Sequence, residues 1–95
     1  MTLAEILADI HIIDAALVAF EREYGLLSDT FILWYQEGHE PEEQSWVLDF
    51  AEWAGLYKSR KRLYDLYQRR LNGLQAQGQD LGNVMRQTQR ALATA

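Results

Sequence analysis

Apolar residues recur at alternating spacings of three and four along two long stretches of this chain, which is the pattern of helices that bury one stripe. The first stretch opens with Thr2-x-x-Glu5, a capping box, and stops at Gly25, a residue suited to the left-handed turn after a helix. Its stripe consists of Leu3, Ile6, Ile10, Ile13, Leu17, Phe20 and Tyr24. The pattern predicts a first long helix over residues 3–24.

The second long stretch carries the stripe Trp46, Phe50, Trp53, Tyr57, Arg60, Tyr64, Tyr67, Leu71 and Leu74. Pro41 suits the first position of a helix, and Glu42 and Glu43 suit the positive end of its dipole. Asn72-Gly73 is the expected end of the helix. We therefore predict a helix over residues 42–72.

Two shorter helices are predicted between and after the long ones. Ser28 has the chemistry of an N-cap, and Gly38 of a helix stop, so a short helix is expected from Ser28 to about Glu37. After Gly73, Asp80 is placed to cap an amphipathic helix. The apolar face of that last helix would carry Leu81, Val84, Met85, Thr88 and Leu92.

The fold class that follows is all-α, since no window alternates apolar and polar residues as a half-buried strand would. We expect a small antiparallel helical bundle made of two long helices, a short connecting helix and a C-terminal amphipathic segment. Residues 1–72 would form the bundle core. Residues 73–95 would be a tail that includes a short helix and docks on a partner.

Composition places the chain among single soluble domains. It has 95 residues, 48% of them apolar, no cysteine, and no apolar run near the roughly 20 residues of a membrane span. No Lys or Arg precedes Arg22, so we expect no secretory signal with a basic region, and we expect a cytoplasmic location.

The charges are divided unevenly along the chain. Residues 1–57 hold twelve acidic residues and one basic residue, whereas residues 58–95 hold eight basic and two acidic residues. Each part can attract the other or a charged partner. Asp14 and Glu21 are expected to pair with Arg60 and so to set the register of the two long helices.

No catalytic motif is present, and neither histidine lies in a metal-binding pattern such as HExxH. We expect no enzyme activity, no cofactor and no metal. Lys58, Lys61 and Arg62 lie among tyrosines and are candidate phosphate contacts. Because the chain is acidic overall and these tyrosines have helix-packing spacing, nucleic-acid binding is the less favoured interpretation.

Aromatic residues are unusually dense, with eleven Phe, Trp and Tyr residues between positions 20 and 67. That is more aromatic surface than a three-helix unit of this size is expected to bury. Trp and Tyr are also enriched at interface hot spots. An obligate dimer or a stable complex with a partner is therefore expected.

The helical part of the chain resembles small all-α bacterial antitoxin-like proteins of two-gene toxin–antitoxin modules. The resemblance covers roughly residues 3–71 and rests on helix-ending and aromatic motifs. These motifs are Phe20-Glu21, Tyr24-Gly25-Leu26, Ser28, Phe31, Tyr35, Gly38, Pro41-Glu42, Ser45-Trp46 and the run from Asp49 to Ala54. The basic run at residues 58–62 departs from the more acidic third helix of that group.

The resemblance implies a cytoplasmic antitoxin that neutralises a small, ribonuclease-type cognate toxin. An acidic and aromatic surface could occupy the basic cleft of such a toxin. The residues expected to bind the partner are Glu42, Glu43, Trp46, Asp49, Phe50, Glu52 and Trp53. Two alternatives remain open: a structural homodimeric adaptor, and a phage-type acidic inhibitor of a nucleic-acid enzyme.

Overall fold

The computed structural model describes residues 1–93, so the last two residues of the predicted 73–95 tail lie outside it. It contains four helices: α1 (Leu3–Tyr24), α2 (Ser28–Gln36), α3 (Trp46–Ala76) and α4 (Leu81–Ala93). The described residues include no strand, which confirms the all-α prediction. None of these helices is at once long and apolar enough to cross a membrane.

The predicted signals at both ends of α1 are confirmed. The backbone N–H of Thr2 donates to Glu5 Oε1 at 3.1 Å, and the N–H of Glu5 donates to Thr2 Oγ1 at 3.2 Å. Hydrogen bonds from Thr2 lower the pKa of the Glu5 carboxyl. Gly25 follows the last turn with a φ of 76°, and its N–H donates to the Glu21 carbonyl. The helix therefore spans the predicted 3–24.

Ser28 does not cap α2, contrary to the prediction. It is the first helical residue, and the preceding cap position belongs to Leu27, which makes no side-chain cap hydrogen bond. The Glu21 carboxylate substitutes for a cap by accepting the Ser28 backbone N–H at 2.8 Å. A carboxylate from α1 thus satisfies a backbone donor at the start of α2.

The start of α3 was predicted at residue 42, but the helix begins at Trp46. Residues 42–45 form turns in which Glu43 and Gln44 carbonyls accept N–H groups three residues later. All four of these residues are polar and exposed, so they have no apolar stripe to bury. The helix starts at the first residue that packs on the core.

The end of α3 was predicted at residue 72, but the helix continues to Ala76. Gly78, with a φ of 88°, supplies the left-handed residue of a Schellman ending. Its N–H donates to Gln75, and the Gln79 N–H donates back to Leu74. The predicted α4 follows, and Asp80 caps it by accepting the Asn83 N–H at 2.8 Å.

The described chain divides into two compact units. One comprises Ile12–Lys61, and the other comprises Met1–His11 with the described residues from Arg62 onward. In the Ile12–Lys61 unit, α1 and α3 are antiparallel, because Asp14 lies beside Arg60 whereas Tyr24 lies beside Asp49. Its core is Leu17, Phe31, Ile32, Phe50, Trp53 and Ala54.

In the other unit, buried apolar side chains come from the first half of α1 and from α4. Leu3, Ile6, Ile10 and Val84 are all buried there. Leu3 and Val84 also line a groove with Arg70 and Leu74 of α3. Of the apolar face predicted for α4, Val84 is buried, whereas Leu81, Met85 and Leu92 are exposed. The amphipathic pattern is thus used only in part for packing within the chain.

Candidate partner-binding groove

The Ile12–Lys61 unit is organised around Trp53, which has no exposed surface. Its indole stacks on Phe31 with ring centroids 3.8 Å apart and planes within 1° of each other. Phe20 stacks on it with centroids 5.7 Å apart. Buried aromatic pairs of this kind contribute about 0.5–1.5 kcal/mol each beyond the burial of their area.

A buried hydrogen bond fixes the orientation of that indole. Trp53 Nε1 donates to Ser28 Oγ at 2.9 Å, and Ser28 is only 2% exposed. Because Glu21 holds the Ser28 backbone at the same time, α1, α2 and α3 are connected through one serine. This arrangement gives the unit a rigid frame for the groove that lies beside it.

An open groove with a volume of about 710 Å³ lies beside this core. Phe50 lies at its centre and is 4% exposed. The centroid of the Phe50 ring is 5.2 Å from that of Tyr24, 5.4 Å from that of Trp46 and 6.1 Å from that of Trp34. The last three rings are half-buried. The full lining is Glu23, Tyr24, Leu26, Thr30, Phe31, Trp34, Ser45, Trp46, Asp49, Phe50 and Trp53.

Carboxylates give the groove a negative charge. The Tyr24 hydroxyl donates to Asp49 Oδ2 at 2.5 Å. That hydrogen bond, with loss of hydration and the negative charges of Asp49, Glu23 and Glu43, raises the pKa of Tyr24 to about 12. The groove thus combines aromatic faces with a potential that disfavours a further negative charge.

The predicted partner-binding residues divide into three groups by their exposure. Glu42, Glu43 and Glu52 are exposed, while Trp46 and Asp49 are half-buried in the groove wall. Phe50 and Trp53 were expected as surface anchors, but they are 4% and 0% exposed. The correction has a simple cause: their stripe faces α1 and α2, so they support the groove from beneath.

The groove also contains residues that the sequence analysis missed. Tyr24 comes from the end of α1, Trp34 from α2, and Glu23 supplies a second carboxylate. The position of Trp34 three residues after buried Phe31 places both on one side of α2, which was a usable signal. No local signal links Glu23 to a groove formed with α3.

The predicted register ion pairs are only partly as expected. Arg60 Nη1 lies 3.6 Å from Asp14 Oδ1, and Arg60 Nη2 lies 3.8 Å from Asp29 Oδ1. The guanidinium carbon is also 5.4 Å from the centre of the Tyr57 ring. Glu21 was predicted to join this network, but its carboxylate binds the Ser28 N–H, because it lies two turns beyond Asp14 along α1.

Aromatic burial changes the argument from aromatic density. Of the eleven Phe, Trp and Tyr residues, Tyr64 alone is exposed; the rest are buried or half-buried within one chain. The aromatic content by itself therefore does not require a second copy. Dimerisation stays a prediction.

The predicted phosphate contacts lie on the surface of α3, where Lys58, Lys61 and Arg62 are all exposed. In the part of the chain that the structure describes, no group of three or more His, Cys, Asp or Glu side chains is placed to hold a metal ion.

Comparison with protein-family models, curated proteins and solved structures finds no match to this chain.

Proposed function

We propose that this chain is a non-enzymatic binding protein of the antitoxin type, which neutralises a small, basic, ribonuclease-type toxin. The observation that carries the proposal is the groove itself: half-exposed Tyr24, Trp34 and Trp46 surround buried Phe50, with Asp49 in the wall. Rigid aromatic anchors with charged neighbours are typical of binding hot spots.

Charge complementarity supports a basic partner. The Ile12–Lys61 unit holds ten acidic and four basic side chains, a net charge of −6. A protein that cleaves RNA needs a positively charged surface for the phosphate backbone. An acidic partner accelerates association with such a surface and covers it.

The first test is co-expression of the intact chain with the product of its adjacent gene, followed by chromatography with light scattering. We expect a stable heteromeric complex, and we expect the adjacent product alone to arrest growth. A neighbouring product that is harmless and does not bind would contradict the antitoxin proposal.

Glu23→Lys and Glu43→Lys, made separately, test the role of negative charge in and near the groove. Glu23 lines the groove, and Glu43 adds to the negative charge that raises the Tyr24 pKa. Both side chains are exposed, so the fold should tolerate the change. We expect several-fold slower association with the toxin and a weaker dependence on salt. Asp65→Lys is the control, since Asp65 is exposed on α3 and does not line the groove. Equal effects from the control and the groove variants would refute this mode of binding.

A structural homodimeric adaptor is the second candidate. It is favoured by Leu33 and Leu48, which are 64% and 81% exposed. Exposed apolar residues of this size are a cost that self-association removes. Two results together would support this candidate instead. The chain would form a dimer that does not bind the adjacent gene product, and Leu48→Glu would convert that dimer to a monomer.

A further inference from the structure

The groove of the Ile12–Lys61 unit has a chemistry more specific than a general acidic surface. Its walls include the half-buried indoles of Trp34 and Trp46 and the half-buried phenol of Tyr24, and each comes from a different helix. The Tyr24 and Trp46 rings meet at 85° with centroids 5.7 Å apart, so they form a corner. This is an edge-to-face contact, and Tyr24 also stacks with Trp53 at a centroid distance of 5.8 Å. A planar group placed at the junction can contact both rings.

The polar groups of the groove restrict what that group can be. Asp49 is half-buried in the wall, and its Oδ2 accepts the Tyr24 hydroxyl. A carboxylate has lone pairs for further donors beyond this one. Among the described residues that line the groove there is no Lys or Arg, and the His39 ring stacks on the Trp34 indole with centroids 5.1 Å apart. No Lys or Arg side chain therefore neutralises the negative charge of the groove from within.

Three ligand classes can be compared on these terms. An apolar side chain would remove the Asp49 carboxylate from water without replacing its hydrogen bonds, which is costly. A phosphate or carboxylate would be repelled by Asp49 and Glu23. A cation instead gains from the π faces and from the carboxylate together.

Among the cations of proteins, the guanidinium group matches this groove better than an ammonium group does. It is planar, so it stacks on an indole or a phenol, and it donates along its edge to a carboxylate. It is also less strongly hydrated than the ammonium of lysine, so its transfer into a partly buried groove costs less.

We propose that the groove binds an arginine side chain of the partner protein, stacked on the aromatic walls and hydrogen-bonded to Asp49. This proposal rests on the function proposed above for the source of the arginine. It specifies in addition which chemical group of a basic partner the groove binds, namely one guanidinium group.

The test uses the intact chain and three short blocked peptides, Gly-Arg-Gly, Gly-Lys-Gly and Gly-citrulline-Gly. Citrulline has nearly the shape of arginine but no charge. The indole N–H resonances of the ¹⁵N-labelled protein are followed during titration. We expect the arginine peptide to shift the Trp34 and Trp46 signals saturably, with a Kd of about 1 mM, which corresponds to roughly 4 kcal/mol. The buried Trp53 signal should shift least.

Two groove variants and two controls test the placement. Asp49→Asn retains an acceptor for Tyr24 but removes the charge, and we expect about tenfold weaker arginine binding. Trp46→Leu should weaken binding by about 2- to 30-fold. Asp65→Asn and Gln68→Ala, which change exposed residues of the same helix outside the groove, should leave the Kd unchanged. Circular dichroism checks that each variant is folded.

The outcomes separate this proposal from the proposed function. Citrulline or lysine peptides that bind as tightly as the arginine peptide would overturn the guanidinium proposal, as would loss of binding in Asp65→Asn. If the toxin complex forms but arginine does not bind, the guanidinium proposal fails and the antitoxin function stands. If arginine binds as expected but the adjacent product is neither toxic nor bound, the antitoxin function fails while the ligand chemistry stands.

Discussion

Replacing Ser28 with alanine should destabilise the fold, because the serine hydroxyl is the acceptor of a buried hydrogen bond. Ser28 Oγ is the acceptor for Trp53 Nε1 at 2.9 Å, and the two residues are 2% and 0% exposed. Ser28→Ala therefore leaves an indole N–H that water cannot reach. An unsatisfied buried donor costs about 1–3 kcal/mol of unfolding free energy, and the better helix propensity of alanine offsets only about 0.5 kcal/mol.

A double-mutant cycle separates the hydrogen bond from packing. Trp53→Phe removes the donor and part of the stack on Phe31. In that background Ser28→Ala no longer creates an unsatisfied indole, so it should be nearly neutral. We expect a coupling free energy of about 1 kcal/mol or more between the two changes.

Urea unfolding followed by far-ultraviolet circular dichroism is the assay, because tryptophan fluorescence changes when Trp53 is replaced. With a slope of about 1–3 kcal/mol per molar urea, Ser28→Ala should lower the midpoint by roughly 1 M. Thr30→Ala, on the exposed side of the same helix, should change stability by less than about 0.5 kcal/mol. If Ser28→Ala costs no more than Thr30→Ala, or costs the same in both Trp53 backgrounds, the reasoning is wrong.

Three further predictions concern helix ends and pH. Gly25→Ala should lower the free energy of unfolding by about 1–2 kcal/mol, because the φ of Gly25 is 76°. Gly73→Ala, inside α3 with open space around it, should instead raise the free energy of unfolding by about 0.5–1 kcal/mol. Urea midpoints of the two variants that move in the same direction would contradict this. Asp80→Ala should lower the stability of α4 by about 0.5–2 kcal/mol, since the Asp80 carboxylate accepts the Asn83 N–H at 2.8 Å. Faster amide hydrogen exchange throughout α4 would show this loss. The pKa of Tyr24 is raised from 10.0 to about 12, chiefly by its hydrogen bond to Asp49. The neutral hydroxyl therefore contributes stability that is fully present below pH 10 and is lost as the pH rises towards 12. Urea midpoints measured across that range should fall more steeply for the natural chain than for Tyr24→Phe, and parallel curves would argue against the assignment.

The helices themselves were largely readable from the sequence. The bounds of α1 followed from a capping box, an apolar stripe and Gly25, all of which act between residues at most four apart. The same is true of the Asp80 cap of α4. Signals of this kind are local, so the chain carries them before any helix has packed on another.

The errors arose where a distant contact outweighed a local signal. Ser28 has the chemistry of a cap, but Trp53, twenty-five residues away, uses its hydroxyl, and Glu21 takes over the backbone donor. The start of α3 was predicted at residue 42, but the helix begins at Trp46. The interaction of Glu42 and Glu43 with the helix dipole stabilises a helix start by less free energy than the burial of an apolar stripe does.

Local patterns in the chain were enough to establish the four helices, their amphipathic stripes and the uneven distribution of charge. Packing between helices established which aromatic residues support the groove from beneath and which form its walls. Phe50 and Trp46 belong to one stripe, yet the first is buried and the second is half-buried beside Tyr24 and Trp34. Exposure depends on the area that neighbouring helices cover, and that area is set by residues far apart in the chain. The groove therefore exists only once three helices have packed together.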